Sequence, residues 1–248
     1  MDAVFADGDV VALGPPSKLR LLTEVPRAVI GVGGLPFARR ALMDAPRGDG
    51  RRVMLLPGLF NGDRSSLVLR RYLNALGYRA EGWGLGRNFG QRAIGADGER
   101  LFAAIEAMGG GEPVTLVGVS LGGIMARIAA HRHPELVREV VTISSPFAGP
   151  PSATNVWRVY ELLSGVRVDD PEVVAFAALA AAHPPVPTTA IWSASDGFVN
   201  GAICRDDRCR SIEVRSSHVW VQHNPQVLRA VAGVLGGDIS PPGISSPP

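Results

Sequence analysis

Lysine is almost absent from this chain: of its 25 basic residues only Lys18 is a lysine. That bias reflects a GC-rich genome more than chemistry. With a net charge of only +2, the whole-chain balance makes no case for nucleic acid or an acidic membrane as a partner, and leaves a local patch as the one electrostatic route to either. There are two cysteines, Cys204 and Cys209. They are too few for a disulfide framework or a zinc site; they could close one small surface disulfide, and two free thiols are the expectation in a reducing cytoplasm. Long hydrophobic runs are missing as well. The best of them, Val173 to Ala182, is too short and alanine-rich to span a bilayer, so no transmembrane segment is expected. The first residues, Met1-Asp-Ala-Val-Phe-Ala-Asp-Gly-Asp9, have acids where a secretion signal needs bases, and the expected location is cytoplasmic.

What is present is 248 residues with 46% hydrophobic content, enough for one large α/β domain. Residues 1–52 read as an irregular N-terminal arm. Gly14-Pro15-Pro16 and Gly31-Val-Gly-Gly34-Leu-Pro36 act as breakers, with short helices around Lys18 to Glu24 and Phe37 to Met43. The glycines at 31–34 lack the flanking strand and helix of a dinucleotide site. Regular alternation begins at Val53. Strands are expected at Val53 to Pro57, Arg79 to Leu85, Val114 to Val119, Val137 to Ser144, Thr188 to Ser193 and Ser211 to Arg215. Helical patterns lie between them, and a last helix follows Asn224-Pro225. The expectation is a parallel sheet of about six strands with helices on both faces. Residues 53–147 and 188–236 form its core. Residues 148–187 break the alternation with helical stretches at Asn155 to Leu163 and Pro171 to Ala182, and read either as a cap over a site or as helices packed down on the sheet. Residues 237–248, rich in glycine, serine and proline, are expected to be a disordered tail.

One stretch points to chemistry. Val114 to Met125 reads as strand, glycine-lined turn and helix, with Gly118-Val-Ser120-Leu-Gly122 at the turn. A side chain at either glycine would collide with the adjoining strand or helix. The turn exposes the Ser120 hydroxyl at a helix N-terminus, where the unpaired amide of Leu121 can donate to a negative oxygen. Gly-x-Ser-x-Gly alone is common in a chain with 30 glycines. Its weight comes from the apolar run before it and from Leu121, Ile124, Met125 and Ile128 at helical spacing after it.

In an open parallel sheet, ligands gather at the carboxyl ends of the strands. Ser120, Asp196 and His218 all follow strands. A serine hydroxyl needs a base within reach to become a nucleophile, and the base needs a carboxylate to hold its tautomer. His223 is the alternative base, just before a helix cap. Asp206 and Asp207 lie in the charged stretch 205–210, which reads as a solvated loop, and Asp169 and Asp170 read as caps for the helix starting at Pro171. His131 and His133 sit near a helix end and His183 precedes two prolines, so no metal site is expected.

Gly118-Val-Ser120-Leu-Gly122, Ser195-Asp196-Gly197 and His218, in the chain order serine, acid, histidine, resemble the α/β-hydrolase superfamily in its lipase and esterase branch, over Val53 to about Leu235. The resemblance implies the α/β-hydrolase fold with a helical cap insertion. It implies a Ser120-Asp196-His218 triad and an oxyanion hole from the amides of Leu121 and Leu59, with Phe60 as the alternative to Leu59. Pro57 stands where lipases commonly have the histidine of a His-Gly-x loop. The implied activity is hydrolysis of apolar acyl or aryl esters through an acyl-enzyme, without metal or cofactor. Phe60, Phe147, Trp157 and Tyr160 are candidate substrate contacts. An acyltransferase using the same triad and a non-catalytic binding protein on the same fold are the alternatives.

Overall fold

A computed structural model describes residues 14–150, 153–155 and 170–237. Among the described residues six strands form one sheet: β1 (Arg52–Leu56), β2 (Arg79–Gly82), β3 (Val114–Val119), β4 (Val137–Ile143), β5 (Thr188–Trp192) and β6 (Arg210–Glu213). Every neighbouring pair is parallel, in the order β2-β1-β3-β4-β5-β6. Parallel strands need helical crossovers, which bury both faces and leave the central strands continuously apolar. β1 shows the consequence. Val53 and Leu55 join a cluster with α3 (Leu35–Met43), α4 (Leu67–Leu76) and α9 (Pro225–Leu235), whereas Met54 and Leu56 join the opposite cluster with α5 (Gln91–Ile94), α6 (Glu99–Gly109) and α7 (Leu121–Arg132). The inner face of α4 is Leu69, Tyr72, Leu73 and Leu76, all buried at helical spacing.

The chain order reverses direction between β1 and β3, so the loops after these two strands diverge and leave a crevice at the carboxyl edge. That crevice holds Gly58-Leu59 and Ser120.

Three differences from the sequence expectations have physical causes. β2 ends at Gly82 rather than Leu85, because the amides of Trp83 and Gly84 donate to the Asp63 carboxylate at 3.0 and 3.2 Å instead of to a neighbouring strand. The arm is more helical than expected: α1 (Lys18–Leu22) and α3 lie where the two short helices were expected, but α2 (Glu24–Gly33) joins them, and the expected breaker at 31–34 lies in the end of α2 and its cap. Packing overrides propensity there, since a Cβ on Gly31 would press on the Asn224 side chain at the start of α9. Finally, Asn155 is not helical. Its Nδ2 donates to the carbonyls of Pro16 and Gly197, and Thr154 forms an antiparallel bridge to Val199. The rest of the expected helix to Leu163, the first 13 residues and the tail from 238 lie outside the described residues. The second helical stretch of the insertion is present as α8 (Pro171–Ala181).

Candidate active site

Ser120 caps α7 at φ 52° and ψ −119°, a conformation that costs a non-glycine residue about 1–3 kcal/mol. The surroundings hold it there. Its own amide donates to the Ile143 carbonyl at 2.8 Å, pinning the turn to β4. A Cβ on Gly118 would overlap Gly122 and Gly123, and one on Gly122 would overlap the carbonyls of Leu56 and Pro57. The Gly-x-Ser-x-Gly pattern is therefore a steric requirement of packing a strand, a helix and the β1 loop against one another.

That contact brings in the β1 loop. A Cβ on Gly58 would touch the Cβ of Ser120 at 3.4 Å. The Phe60 amide donates to the Asn88 carbonyl at 2.8 Å, whereas the amides of Leu59 and Leu121 have no acceptor among the described residues. Of the two alternatives Leu59 and Phe60, only Leu59 keeps its N–H available. Phe60 has φ 61° and its ring lies 5.8 Å from that of Phe89.

Asn88 holds this loop in place, and nothing in the sequence marked it. It is fully buried; its Nδ2 donates to the Pro57 carbonyl at 2.7 Å and its Oδ1 accepts from the Gly90 amide at 3.0 Å. It lies in the glycine-rich stretch 84–90, where a single asparagine carries no distinguishing pattern.

At the ends of β5 and β6, Asp196 and His218 are brought together. Asp196 is 2% exposed. One carboxylate oxygen accepts from the amides of Phe198 and Val199 at 2.8 and 2.9 Å, and the other accepts from His218 Nδ1 at 2.7 Å. A carboxylate acceptor requires the proton on Nδ1, so Nε2 carries the free lone pair. Burial alone would push the His218 imidazole down; the charge and hydrogen bond of Asp196, with the charge of Glu24, outweigh it and raise its pKa above the ordinary 6.5. Phe198 stacks on the ring at 5.4 Å between centroids. Among the described residues the Ser120 hydroxyl has no hydrogen-bond partner; such contacts commonly tighten only when substrate is bound.

Glu24, from the arm, is the largest surprise. It is 1% exposed and every oxygen lone pair is engaged nearby: Oε2 accepts from the amides of His218 and Val219 at 2.6 and 3.0 Å, and Oε1 from the Gly197 amide at 2.7 Å and from Arg27 at 2.6 Å. Arg20 and Arg27 also donate to the carbonyls of Ala194 and Ser195, each at 2.6 Å. The arm thus grips the acid loop and the histidine loop together. A buried carboxylate is tolerable only with such a full set of donors.

The rivals are placed elsewhere. His223 Nε2 donates to the Ser65 carbonyl at 2.8 Å, a structural contact. Asp206 is not in a merely solvated loop: it sits 3.6 Å from Arg127, which is wholly buried. His131 contacts the Ala182 carbonyl and His133 pairs with Glu135. Cys204 and Cys209 are both free thiols.

Beside Ser120 opens a cavity of about 230 Å³ lined by Leu59, Leu121, Ile124, Phe147, Phe176 and Val199. Phe147 lies in its wall, and Phe176 comes from α8. Trp157 and Tyr160 lie outside the described residues.

A family model described as the alpha/beta hydrolase fold matches residues 88–165. Solved structures extend the likeness over most of the chain. A monoacylglycerol lipase from Paleococcus ferrophilus is 16% identical at a TM-score of 0.53, covering 78% of this chain and 97% of its own. A thioesterase domain from the curacin biosynthetic pathway is 13% identical at 0.54, covering 75% and 91%. An alpha/beta hydrolase fold protein from Nakamurella multipartita is 17% identical at 0.50, covering 76% and 93%. No curated protein sequence matches the chain. The parallel six-stranded sheet, the strained turn after β3 and these structural likenesses agree that the chain has the α/β-hydrolase fold.

Proposed function

We propose that this chain is a serine carboxylic-ester hydrolase acting on apolar acyl or aryl esters through an acyl-enzyme. The observation that carries the reading is Ser120 in its strained turn, facing an apolar cavity, with an Asp196–His218 pair on loops at the same sheet edge. In this reading His218 Nε2 takes the proton as Ser120 Oγ attacks the ester carbonyl. Asp196 holds the imidazole and stabilises its charged form. The amides of Leu121 and Leu59 receive the developing oxyanion, each contributing about 3 kcal/mol to the transition state. His218 then protonates the departing alcohol, and a water, deprotonated by His218 in turn, attacks the acyl carbon and frees Ser120.

The cavity wall supports an apolar acyl or aryl group rather than a charged one, and α8 reaches it through Val173, Phe176, Ala177 and Ala180. On that ground residues 148–187 are proposed to cap the site, with 53–147 and 188–236 as the catalytic core. A panel of p-nitrophenyl esters of increasing acyl length, run with wild type and Ser120→Ala, tests the assignment. The expected result is turnover of apolar esters that Ser120→Ala reduces to background. Equal turnover by the variant would overturn it.

A further inference from the structure

The N-terminal arm is built inside out. An amphipathic helix on a soluble domain turns its aliphatic stripe to the core and its charges to water. α2 buries Glu24 and Ala28 and turns Val25, Val29 and Ile30 outward. The exposed stripe continues to either side at helical spacing, through Leu19 and Leu22 in α1 and Phe37 in α3. Each of these six is more than half exposed; Leu22, Ile30 and Phe37 are 77%, 75% and 91% exposed. Isolated exposed aliphatics need no explanation, but six in one short arm form a patch of the kind that marks a partner.

The charges around the stripe identify the partner. Between residues 14 and 44 the cations are Lys18, Arg20, Arg27, Arg39 and Arg40, and the acids are Glu24 and Asp44. Glu24 is buried and paired with Arg27, so the exposed rim is dominated by Lys18, Arg20, Arg39 and Arg40 against Asp44. A second copy would set this cationic rim against another like it. An anionic lipid surface complements both the apolar stripe and the rim. Trp220, 47% exposed and two residues beyond His218, supplies an aromatic of the kind favoured at membrane interfaces, next to the Val221–His223 turn against which α2 packs.

We propose that α1 to α3 form an interfacial docking surface that lays the chain on an anionic lipid bilayer, apolar stripe inserted and arginines at the headgroups. Glu24 anchors this surface to the loops of Asp196 and His218, so docking sets the candidate site at the lipid boundary, where apolar esters partition. The surface stands on the arm's own residues. Only its use in delivering substrate rests on the ester-hydrolase reading.

The test is co-sedimentation of the full chain with vesicles of phosphatidylcholine alone and of phosphatidylcholine with phosphatidylglycerol in equal parts. Wild type is expected to bind the anionic vesicles, less so in high salt. A Leu22→Ser, Ile30→Ser, Phe37→Ser variant loses about tenfold or more of that binding. An Arg39→Glu, Arg40→Glu variant loses the preference for the anionic vesicles. All five positions are exposed, and unchanged hydrolysis of a soluble short-chain ester by the first variant reports intact folding. Binding is read without catalysis, so an inactive protein that still binds vesicles would sink the hydrolase reading and leave this one standing. Wild type that stays in the supernatant with anionic vesicles overturns the proposal, as does vesicle binding equal in both variants. Concentration-dependent dimerisation abolished by the serine variant, without vesicle binding, overturns it in favour of a second copy.

Discussion

Glu24 and His218, 194 positions apart, are joined by a 2.6 Å hydrogen bond from the main-chain N–H of His218 to the Glu24 carboxylate. The other oxygen of the same carboxylate accepts from Gly197, next to Asp196. One buried side chain therefore fixes the spacing of the two loops that carry the proposed base and its orienting acid. Glu24→Ala leaves three main-chain amides and Arg27 without their acceptor, and a loss of about 3 kcal/mol in unfolding free energy is expected by urea denaturation. kcat should fall with little change in KM, since the cavity wall is untouched.

The charge of Glu24 gives a second readout that packing alone would not move. It helps to raise the His218 pKa, so Glu24→Gln should lower that pKa. A general base works when neutral, and the acid limb of the kcat/KM profile should therefore shift to lower pH in Glu24→Gln, even as the maximum falls. Glu24→Asp, which keeps the charge, should leave the limb near its wild-type position. A limb unmoved by Glu24→Gln would remove the electrostatic part of the role.

His218 also couples folding to pH. Its folded pKa is raised, so the stability it contributes is fully present below the unfolded value of about 6.5 and is lost as pH rises through the folded one. The stability advantage of wild type over His218→Asn should be larger at about pH 5.5 than at about pH 8.5. Paired urea denaturation curves at the two pH values measure it.

Asn88 offers a test of the proposed oxyanion loop at a residue that does not itself titrate. Asn88→Ala frees the Pro57 carbonyl and the Gly90 amide inside the protein, at an expected cost of about 2 kcal/mol. kcat should drop by about tenfold or more as the Leu59 amide loses its position, while KM for apolar esters changes little.

Ile124 lines the cavity one turn beyond Ser120. Ile124→Trp fills part of the volume, and the chain-length optimum in the p-nitrophenyl ester panel should move to shorter acyl groups.

What the sequence made legible was local. Six strands in parallel order could be read because buried parallel strands are continuous apolar runs, as in Val114–Val119. The turn at Ser120 could be read because Gly118 and Gly122 are forced by contacts within a few residues and with one neighbouring strand. Glu24 could not. Its main-chain partners lie 173 to 195 positions away, and by periodicity a glutamate on an aliphatic helix belongs outside. The same inversion hid α2, since its pattern does not describe a core-facing stripe. The main-chain bond from Phe60 to Asn88, which leaves Leu59 as the proposed oxyanion donor, is not encoded by side-chain identity.

If Ser120 is the nucleophile, covalent labelling should find it there. Wild type treated with a fluorophosphonate and digested for mass spectrometry should carry the adduct on Ser120, with ester hydrolysis lost in step with labelling, and Ser120→Ala should take up none. An adduct on another residue, or hydrolysis that survives full labelling, would exclude Ser120 as the nucleophile.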